Sequence, residues 1–426
     1  MTESVLIVGC GVFGLSTAIE LAKRHYNVTA LDINQIPSSW SAANDHNKII
    51  RTEYSDLLYT KLALEAVDQW KTDPDLSCCY IECGRLSVKP FNSEKRMTFD
   101  RNSRENLESL GRGVQIKSLQ GGKDLAQNFS EFRGNKFGDD SVIDFNPTCA
   151  LGVAGKSLQC AMRKAEKLGV KFVFGRSGNV VNIYEEKDRA IAEAEDGKIH
   201  TADKILVCCG ALTGHLVNLN GQTSASGLFV AHVQLNDEEY ERFKNIPIFF
   251  SAEGCYFFPP DADTKMIKIA SATEECRNSM TDRFGNVTSL PLASNEKHFK
   301  GIPSDAVDSM HAFFRKAIPE IADRELVNCK ICWINDTNSS DFLIDKVPTS
   351  RAIYVASGDS GHAYKFLPNI GKYVADRMED RLPDNIKDKW KWSYETKHKN
   401  PSWRIEKKLF ELGEKKTTRN EIKSKI

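Results

Sequence analysis

A glycine-rich turn near the amino terminus constrains the fold of this chain more than any other feature. Gly9, Gly11 and Gly14 stand in the spacing G-x-G-x-x-G, directly after an apolar, β-branched run. Such a run predicts a buried parallel strand. A helical pattern follows, and a second apolar run at 28–31 ends in Asp32. This order of elements predicts a βαβ unit that binds a dinucleotide, because such a unit has a strand, a turn, a helix, a second strand and then an acidic residue.

Each part of this unit has a physical role in the expected site. Gly9 permits the tight turn, Gly11 lets the backbone approach a pyrophosphate, and Gly14 lets helix and strand pack closely. The helix N-terminus offers free N–H groups and a positive dipole end to that anion. Asp32 stands where a carboxylate accepts hydrogen bonds from ribose hydroxyls, so FAD or NAD is expected rather than NADP. The alternative is a glycine-rich turn of another α/β protein.

The composition excludes several classes of partner. The 426 residues suffice for two domains or one large composite domain. Lys and Arg number 58, as do Asp and Glu, so no global field would attract nucleic acid or an anionic membrane. No apolar run approaches the roughly 18–20 residues that span a bilayer. The 12 cysteines are scattered without a repeated CxxC pair, which favours reduced thiols over a disulfide framework or a zinc ribbon.

The two ends of the chain bear on localisation. The first predicted strand begins within a few residues of the start, which leaves no room for a signal peptide. Ser424, Lys425 and Ile426 approach the S-K-L peroxisomal signal, with Ile in place of Leu. We therefore expect a cytoplasmic or peroxisomal protein, with a plain basic tail as the other interpretation of these residues.

The rest of the chain predicts a mixed α/β fold. The charged segment 91–140 predicts surface helices, and a new unit starts at Asn146 with a helix predicted over 150–168. A buried strand is predicted at 204–209. Short strand candidates between 228 and 270 lack βαβ alternation and suit an antiparallel sheet. The expected architecture is a discontinuous Rossmann-type dinucleotide domain with a second, antiparallel-sheet domain.

Four separated stretches carry a resemblance to a known family. They are GCGVFGLSTAIELAKR at 9–24, NKIIR at 47–51, ICW with DFLID at 331–345, and SGHAYKFLPNIGK at 360–372. Together they resemble the FAD-dependent amine oxidase family that includes monomeric sarcosine oxidase, pipecolate oxidase, saccharopine oxidase and fructosyl amino acid oxidase. The first stretch is generic, and the last two, in this order, are more specific. Within this family, the fructosyl amino acid and saccharopine branch is more similar to this chain than sarcosine oxidase itself. The stretches that indicate this are NDHNKII, CW with DT, and WKW near Trp390.

The resemblance extends over nearly the whole chain and implies a division into domains. An FAD-binding domain is expected from residues 1–85, 145–225 and 330–390. A substrate domain is expected from 86–144 and 226–329, followed by a C-terminal tail at 391–426. We expect a monomer.

Cys332 resembles the cysteine that members of this family use as a thioether anchor for the flavin. A covalent bond would fix the ring system and favour amine oxidation. From the residues alone, Cys329, Cys332 and the remaining cysteines stay equivalent, and a small buried core residue is the alternative.

Lys365 resembles the family lysine that lies beside the flavin and meets the substrate carboxylate. Gly358 and Gly361 would let backbone N–H groups approach the flavin and stabilise negative charge there. A solvated lysine in a glycine-rich loop is the alternative. Tyr364 and Phe366 flank it and favour the functional interpretation.

Arg51 resembles the second basic residue of the family's R-I-I-R motif, a natural bidentate partner for a carboxylate. The first position of the motif is Lys48 here, which the resemblance places near the flavin or the pocket. Because Lys and Arg are not interchangeable, this departure affects how the substrate would be placed. The alternative for Arg51 is an ion pair with Glu53.

Lys268 alternates with apolar neighbours on a predicted strand at 266–269, so one face of the strand would bury it. The resemblance implies that this cation assists oxygen reduction, and an edge-strand lysine is the alternative. His46, His362 and Asp345 are conceivable acids or bases, but we assign them no proton transfer. No metal site is expected.

The resemblance implies the residues that contact FAD. They are Gly9, Gly11, Val12, Phe13, Gly14, Asp32, Lys48, Val180, Cys332, Gly358, Asp359, Gly361 and Lys365.

The expected function is oxidation of a secondary amine in an N-substituted amino acid, with O2 reduced to hydrogen peroxide. Arg51 and Lys365 would bind the substrate carboxylate, and Lys268 and Lys365 are the expected catalytic residues. Fructosyl amino acids are expected first, and saccharopine, pipecolate or sarcosine second. A nicotinamide-dependent dehydrogenase and a flavin-binding protein without turnover are the alternatives from other classes.

Overall fold

The computed structural model describes residues 2–89, 94–251, 254–291, 301–394 and 408–414. Its helices are α1 (Val12–Lys23), α2 (Leu57–Thr72), α3 (Glu94–Ser109), α4 (Gly121–Asn128), α5 (Ala154–Lys167), α6 (Asp237–Phe243), α7 (Ser304–Ala317), α8 (Ile370–Met378) and α9 (Asp384–Trp390). Its strands are β1 (Ser4–Val8), β2 (Asn27–Leu31), β3 (Asn47–Ile50), β4 (Tyr80–Glu82), β5 (Arg85–Val88), β6 (Lys117–Gln120), β7 (Val142–Asn146), β8 (Ala150–Val153), β9 (Lys171–Val173), β10 (Val180–Glu186), β11 (Arg189–Ala194), β12 (Ile199–Ala202), β13 (Lys204–Val207), β14 (Thr223–Gln234), β15 (Ile248–Phe250), β16 (Cys255–Phe257), β17 (Met266–Arg277), β18 (Ser279–Thr281), β19 (Val287–Ser289), β20 (Val327–Thr337), β21 (Leu343–Lys346), β22 (Ile353–Ser357) and β23 (Lys408–Glu411).

The first strand lies inside a six-stranded sheet with the order β21–β22–β13–β1–β2–β9. All neighbours are parallel except β21 and β22. Successive side chains of a strand point to opposite faces. Val5 and Ile7 accordingly pack with the helices, whereas Leu6 and Val8 pack with the small sheet β10–β11–β12. Burial on both faces explains the uninterrupted apolar run of β1.

The second large sheet has the order β20–β14–β17–β16–β15–β5–β7–β6, and β23 pairs with β17. Its pairs are antiparallel except β15 with β5 and β17 with β23. Helix α7 packs Met310 and Phe314 against it, in one core with Phe257 and Ile269. The prediction of a mixed α/β fold is confirmed. The domain limits given above stay a prediction.

One predicted helix starts later than the sequence indicated. Residues Ala150–Val153 form strand β8, which pairs with both β3 and β4, and α5 begins only at Ala154. The pattern of apolar residues predicted a helix here. Pairing on both sides of β8 satisfies its backbone groups in a sheet instead.

Strand β20 was not predicted because its carboxyl-terminal half is polar. Asn335 is 1% exposed. Its backbone N–H donates to Asp359 at 2.8 Å, and its side chain donates to Ser357 at 2.8 Å. Residues more than 20 positions away, at the end of β22 and in the loop after it, thus satisfy polar groups that carry no local strand signal.

The predicted surface segment 91–140 contains α3 and α4, with β6 between them. Within the described ranges, no helix is both long and apolar enough to cross a membrane. The structure describes all 12 cysteines and places none of them in a disulfide. The predicted import signal at 424–426 lies outside the described residues.

Candidate active site

The turn between β1 and α1, together with the first turn of α1, tolerates no side chain at two glycines. Gly9 has φ +95°, and a Cβ there would lie 2.6 Å from the carbonyl oxygen of Cys208. A Cβ on Gly14 would lie 2.0 Å from the carbonyl oxygen of Gly9. Helix α1 starts at Val12, with Gly11 as its N-cap. The first N–H groups of the helix therefore face the turn without intrahelical partners, as an anion site requires.

Asp32 lies beside this turn at the end of β2. Its carboxylate accepts hydrogen bonds from the backbone N–H groups of Cys10 at 2.8 Å and Asn34 at 3.1 Å. Burial raises the pKa of Asp32, and these hydrogen bonds lower it. The glycine turn leaves a space that a Cβ would fill, and the buried Asp32 carboxylate is fixed next to it. This arrangement fits the pyrophosphate and ribose of a dinucleotide.

Phe13 and Val180 take apolar positions near this turn. Phe13 packs edge to face against Phe342, with ring centroids 5.4 Å apart. Val180 is buried in the same apolar cluster as Leu31, the neighbour of Asp32. The predicted cofactor contacts of both residues stay a prediction.

A buried carboxylate, Asp45, holds three lysines together. It pairs with Lys268 at 2.6 Å, with Lys48 at 2.9 Å and with Lys330 at 3.8 Å. Lys268 is 1% exposed and also donates to the backbone carbonyl of Asn47 at 2.7 Å. Lys268 therefore lies inside the protein, as its alternation with apolar neighbours predicted, and not on an edge strand.

This arrangement changes the protonation of its members. Burial lowers the pKa of Lys268 to about 7; the charge of Asp45 opposes this, and Lys48 adds to it. Burial would raise the pKa of Asp45, yet attraction to Lys268 and Lys48 holds it well below its usual range. Lys268 is thus a cation that can change its charge near neutral pH, as groups at reactive sites do.

Cys332 and Cys329 lie three residues apart on β20 and in different surroundings. Cys329 belongs to the core of the second large sheet. The Cys332 thiol lies 3.7 Å from the Lys48 amine and donates to the carbonyl of Ala42 at 3.7 Å. The structure therefore brings Cys332, and not Cys329, to the Asp45 cluster.

A second cluster surrounds Lys365, which is 4% exposed. Its amine donates to the Tyr54 hydroxyl at 2.8 Å and to the carbonyl of His362 at 2.7 Å. The Arg51 guanidinium lies over the Tyr54 ring, 4.6 Å from its centroid. Burial, and then repulsion by Arg51, holds the pKa of Lys365 well below its usual value. Lys365 is therefore not a solvated loop lysine.

The loop after β22 is fixed by its own acidic residue. The Asp359 carboxylate accepts hydrogen bonds from the N–H groups of Asn335 at 2.8 Å and Gly361 at 3.0 Å. Gly358 and Gly361 have φ of +70° and +73°. A Cβ on Gly358 would lie 2.4 Å from Thr337, so β20 packs closely against this loop.

The ion pair considered for Arg51 has a different partner. The Glu53 carboxylate pairs with Arg85 at 3.0 Å, whereas Arg51 donates to the backbone carbonyl of Glu53. Arg51 also lies against the Phe99 ring, 5.8 Å from its centroid, and Arg96 lies 5.1 Å from the same centroid.

Asp45 and Tyr54 are the main site residues that the sequence analysis missed. Asp45 stands three residues before Lys48, a spacing that could have indicated their ion pair. Nothing local connects Asp45 to Lys268, or Tyr54 to Lys365. The segment 45–54 contributes to both clusters and joins them.

The three acid–base candidates have structural partners. The ring nitrogens of His362 lie 3.1 Å from the Tyr54 hydroxyl and 3.1 Å from the Ser340 carbonyl. Asp345 pairs with Arg377 at 2.6 Å. The His46 ring packs against His232, with centroids 4.6 Å apart. None of these contacts gives a reason to assign proton transfer.

A family profile described as "FAD dependent oxidoreductase" matches residues 4–377. The chain belongs to this family. L-saccharopine oxidase from Schizosaccharomyces pombe is 42% identical and is matched over 98% of this chain and 99% of its own length. Monomeric sarcosine oxidase from a Bacillus species is 22% identical, over 87% and 90% of the two chains. The solved structure of fructosamine oxidase (Amadoriase II) from Aspergillus fumigatus superposes with a TM-score of 0.85 at 30% identity, over 97% and 96%.

Membership of the FAD-dependent oxidoreductase family confirms three predictions. The dinucleotide is FAD, the protein is an oxidoreductase, and its class is that of the amine and amino acid oxidases. The predicted resemblance to the sarcosine, saccharopine and fructosyl amino acid oxidases is confirmed as well.

Proposed function

We propose that this FAD-dependent oxidase acts on a secondary-amine amino acid with several carboxylates, with L-saccharopine as the substrate. The extent of the similarity to L-saccharopine oxidase supports this substrate over the fructosyl amino acids that the sequence analysis ranked first. Saccharopine is a lysine whose side-chain nitrogen carries a glutaric acid, so it presents three carboxylates around one secondary amine.

The observation that carries the proposal is a row of basic side chains beside two aromatic rings, in which a bound substrate carboxylate would favour the charged form of Lys365. Lys365 and Arg51 flank Tyr54, and Arg51 and Arg96 flank Phe99. The row runs outward, because Lys365 is 4% exposed and the Arg96 side chain is 30% exposed. A long substrate with carboxylates at both ends would meet cations along its whole length.

The neighbouring acids leave this row with a positive charge. Arg96 keeps Asp100 as an ion partner at 3.1 Å, and the Glu53 carboxylate is taken by Arg85. In this proposal Lys365 and Arg51 bind the carboxylate beside the reacting amine. Arg96 binds a carboxylate at the far end. Guanidinium groups suit this task because they bind carboxylates in a bidentate manner.

The reaction removes two electrons and two protons from the amine and its adjacent carbon, which gives an imine that water hydrolyses to an amine and a carbonyl compound. FAD supplies a two-electron acceptor when it is bound. The glycine turn and Asp32 would hold its nucleotide end, and Cys332 would anchor its ring covalently. Lys268 would present a positive charge while O2 takes up two electrons and two protons and leaves as hydrogen peroxide.

A substrate panel tests the proposal. Purified enzyme is supplied with L-saccharopine, a fructosyl amino acid, pipecolate and sarcosine, and hydrogen peroxide is measured by a coupled peroxidase. We expect the highest kcat/KM with saccharopine. A higher value with the fructosyl amino acid would overturn the substrate assignment, and no turnover of any secondary amine would overturn the proposed reaction.

An Arg96→Gln variant tests the role of the row. Losing one charge-assisted hydrogen bond costs about 1.5–3 kcal/mol, so kcat/KM for saccharopine should fall by roughly 10- to 150-fold. Pipecolate, which has one carboxylate, should be affected much less. Arg112→Gln is the matched control, because Arg112 pairs with Asp68 at 2.7 Å on the outside of the protein. Equal losses for both substrates would contradict the assignment.

Fructosyl amino acid oxidation is the second candidate. The superposition on fructosamine oxidase over nearly the whole of both chains favours it. A fructosyl group carries hydroxyls and no carboxylate, so Arg96 would then lack an anionic partner on the substrate. The Arg96→Gln variant would leave turnover of a fructosyl amino acid largely unchanged.

A further inference from the structure

Three cysteine thiols that the proposed reaction does not use lie together outside the active site. Cys78 and Cys79 form a short turn after α2, and Cys160 lies on α5. The sulfur atoms of Cys78 and Cys79 are 3.8 Å apart, and those of Cys79 and Cys160 are 3.9 Å apart. All three sulfurs lie within 4.8 Å of one another. Across the described ranges, this is the one group of three or more potential metal ligands at such distances.

The spacing of these sulfurs matches that of a thiolate-bound metal ion. Zinc–sulfur bonds of about 2.3 Å in a tetrahedron place two ligand sulfurs about 3.8 Å apart. Two of the three pairs already have this separation. The third pair would close by rotation of the Cys78 side chain, which lies at the surface.

The surroundings allow an ion to enter and favour its binding by thiolates. Cys79 and Cys160 are buried, whereas Cys78 is exposed, so the group opens to solvent on one side only. The Arg163 guanidinium donates to the Cys160 sulfur at 3.2 Å and supports negative charge on it.

We propose that Cys78, Cys79 and Cys160 form a binding site for a thiophilic divalent cation, with Zn²⁺ as its ion. Binding releases three thiol protons to solvent and forms three metal–sulfur bonds, and water completes the tetrahedron. Sulfur ligands in this geometry select zinc over magnesium or calcium. The site goes beyond the oxidase reaction and does not depend on the substrate.

A bound ion would join the end of α2 to α5. The neighbouring part of α2 also contacts the active-site loop, because the Trp70 indole donates to the backbone carbonyl of Lys365 at 2.8 Å. An ion that binds only the folded protein stabilises it by mass action. Zn²⁺ should therefore raise the Tm of the reduced protein.

The test uses the full-length, FAD-loaded protein. Its cysteines are kept as reduced thiols, and a chelator removes bound metal. Co²⁺ is added, and absorption is recorded at wavelengths longer than those of the flavin. Tetrahedral thiolate coordination gives intense d–d bands there. We expect one Co²⁺ per chain, displaced by Zn²⁺, and a higher Tm with either ion.

Single variants assign the ligands. Cys160→Ser should abolish the bands. Cys78→Ser should abolish them as well, and this substitution does not put folding at risk because Cys78 is exposed. Cys83→Ser, a half-buried thiol outside the group, is the control and should keep them. Absence of stoichiometric metal and of the bands in the reduced protein would overturn the proposal. A Cys79–Cys160 disulfide that resists reductant, or bands that persist in both cluster variants, would overturn it too.

Discussion

Replacing Asp45 by asparagine should move the pH dependence of oxygen reduction towards acid. Asn keeps the size of the side chain and removes the charge that Lys268 contacts at 2.6 Å. The pKa of Lys268 is about 7 with this carboxylate in place. In the proposed mechanism the protonated amine is the active form, so the rate of oxygen reduction in the wild type should fall as pH rises through about 7.

The size of the effect follows from the distance. The 2.6 Å joins the nearest atoms, and the centres of the two charges lie farther apart because the carboxylate charge is shared by two oxygens. Two unit charges about 4 Å apart interact by about 4 kcal/mol at an effective dielectric constant of about 20. Each change of one pH unit in a pKa corresponds to about 1.36 kcal/mol. The midpoint should therefore move by about 2 to 3 pH units towards acid, and the rate at neutral pH should fall by roughly 50- to 500-fold.

The assay mixes anaerobically reduced enzyme with O2 in a stopped-flow instrument at a series of pH values. Lys330→Gln provides a control of opposite sign, because Lys330 also lies near Asp45 and its charge lowers the pKa of Lys268. Its midpoint should move slightly towards alkaline pH. An unchanged midpoint in folded, yellow Asp45→Asn protein would refute the reasoning, as would equal shifts of both variants in one direction.

Three further predictions concern other residues. Cys332→Ser should release all flavin into the supernatant on acid precipitation, whereas Cys329→Ser should keep the pellet yellow, since only the first thiol faces the Asp45 cluster. Lys365→Met should lower kcat/KM for any amino acid substrate by about 10- to 150-fold through loss of a charge-assisted hydrogen bond. His232→Phe should stabilise the protein in acid. Burial lowers the pKa of His232 to about 3, so between that value and its usual pKa of about 6.5 only the unfolded state takes up a proton. Removing the histidine should therefore raise the free energy of unfolding at pH 5, measured with denaturant, by about 2 kcal/mol more than at alkaline pH.

Each of these predictions has a contrary outcome. Inseparable flavin in the Cys332→Ser protein would exclude this thiol as the anchor. Undiminished kcat/KM in Lys365→Met would remove the lysine from substrate binding. An acid stability of His232→Phe equal to that of the wild type would mean that the histidine is not held neutral in the fold.

The sequence by itself determined the βαβ unit and its dinucleotide site, and it left FAD and NAD both open at that motif. Gly9, Gly14 and Asp32 lie within one continuous stretch, so local spacing carries the requirement for a tight turn, a close approach and a fixed carboxylate. The burial of Lys268 was equally local, because alternation on a strand determines the face of each side chain.

Only the tertiary structure decided which charges meet. Asp45 and Lys268 are 223 residues apart, and the Cys79 and Cys160 thiols are 81 residues apart. No propensity or period links such pairs, because contact between them depends on how the sheets and helices pack. The same holds for Cys329 and Cys332, which are equivalent in sequence and lie on different sides of β20. The charges that set pKa values at the candidate active site are therefore a property of packing, whereas the glycine turn and Asp32 come from one continuous stretch of residues.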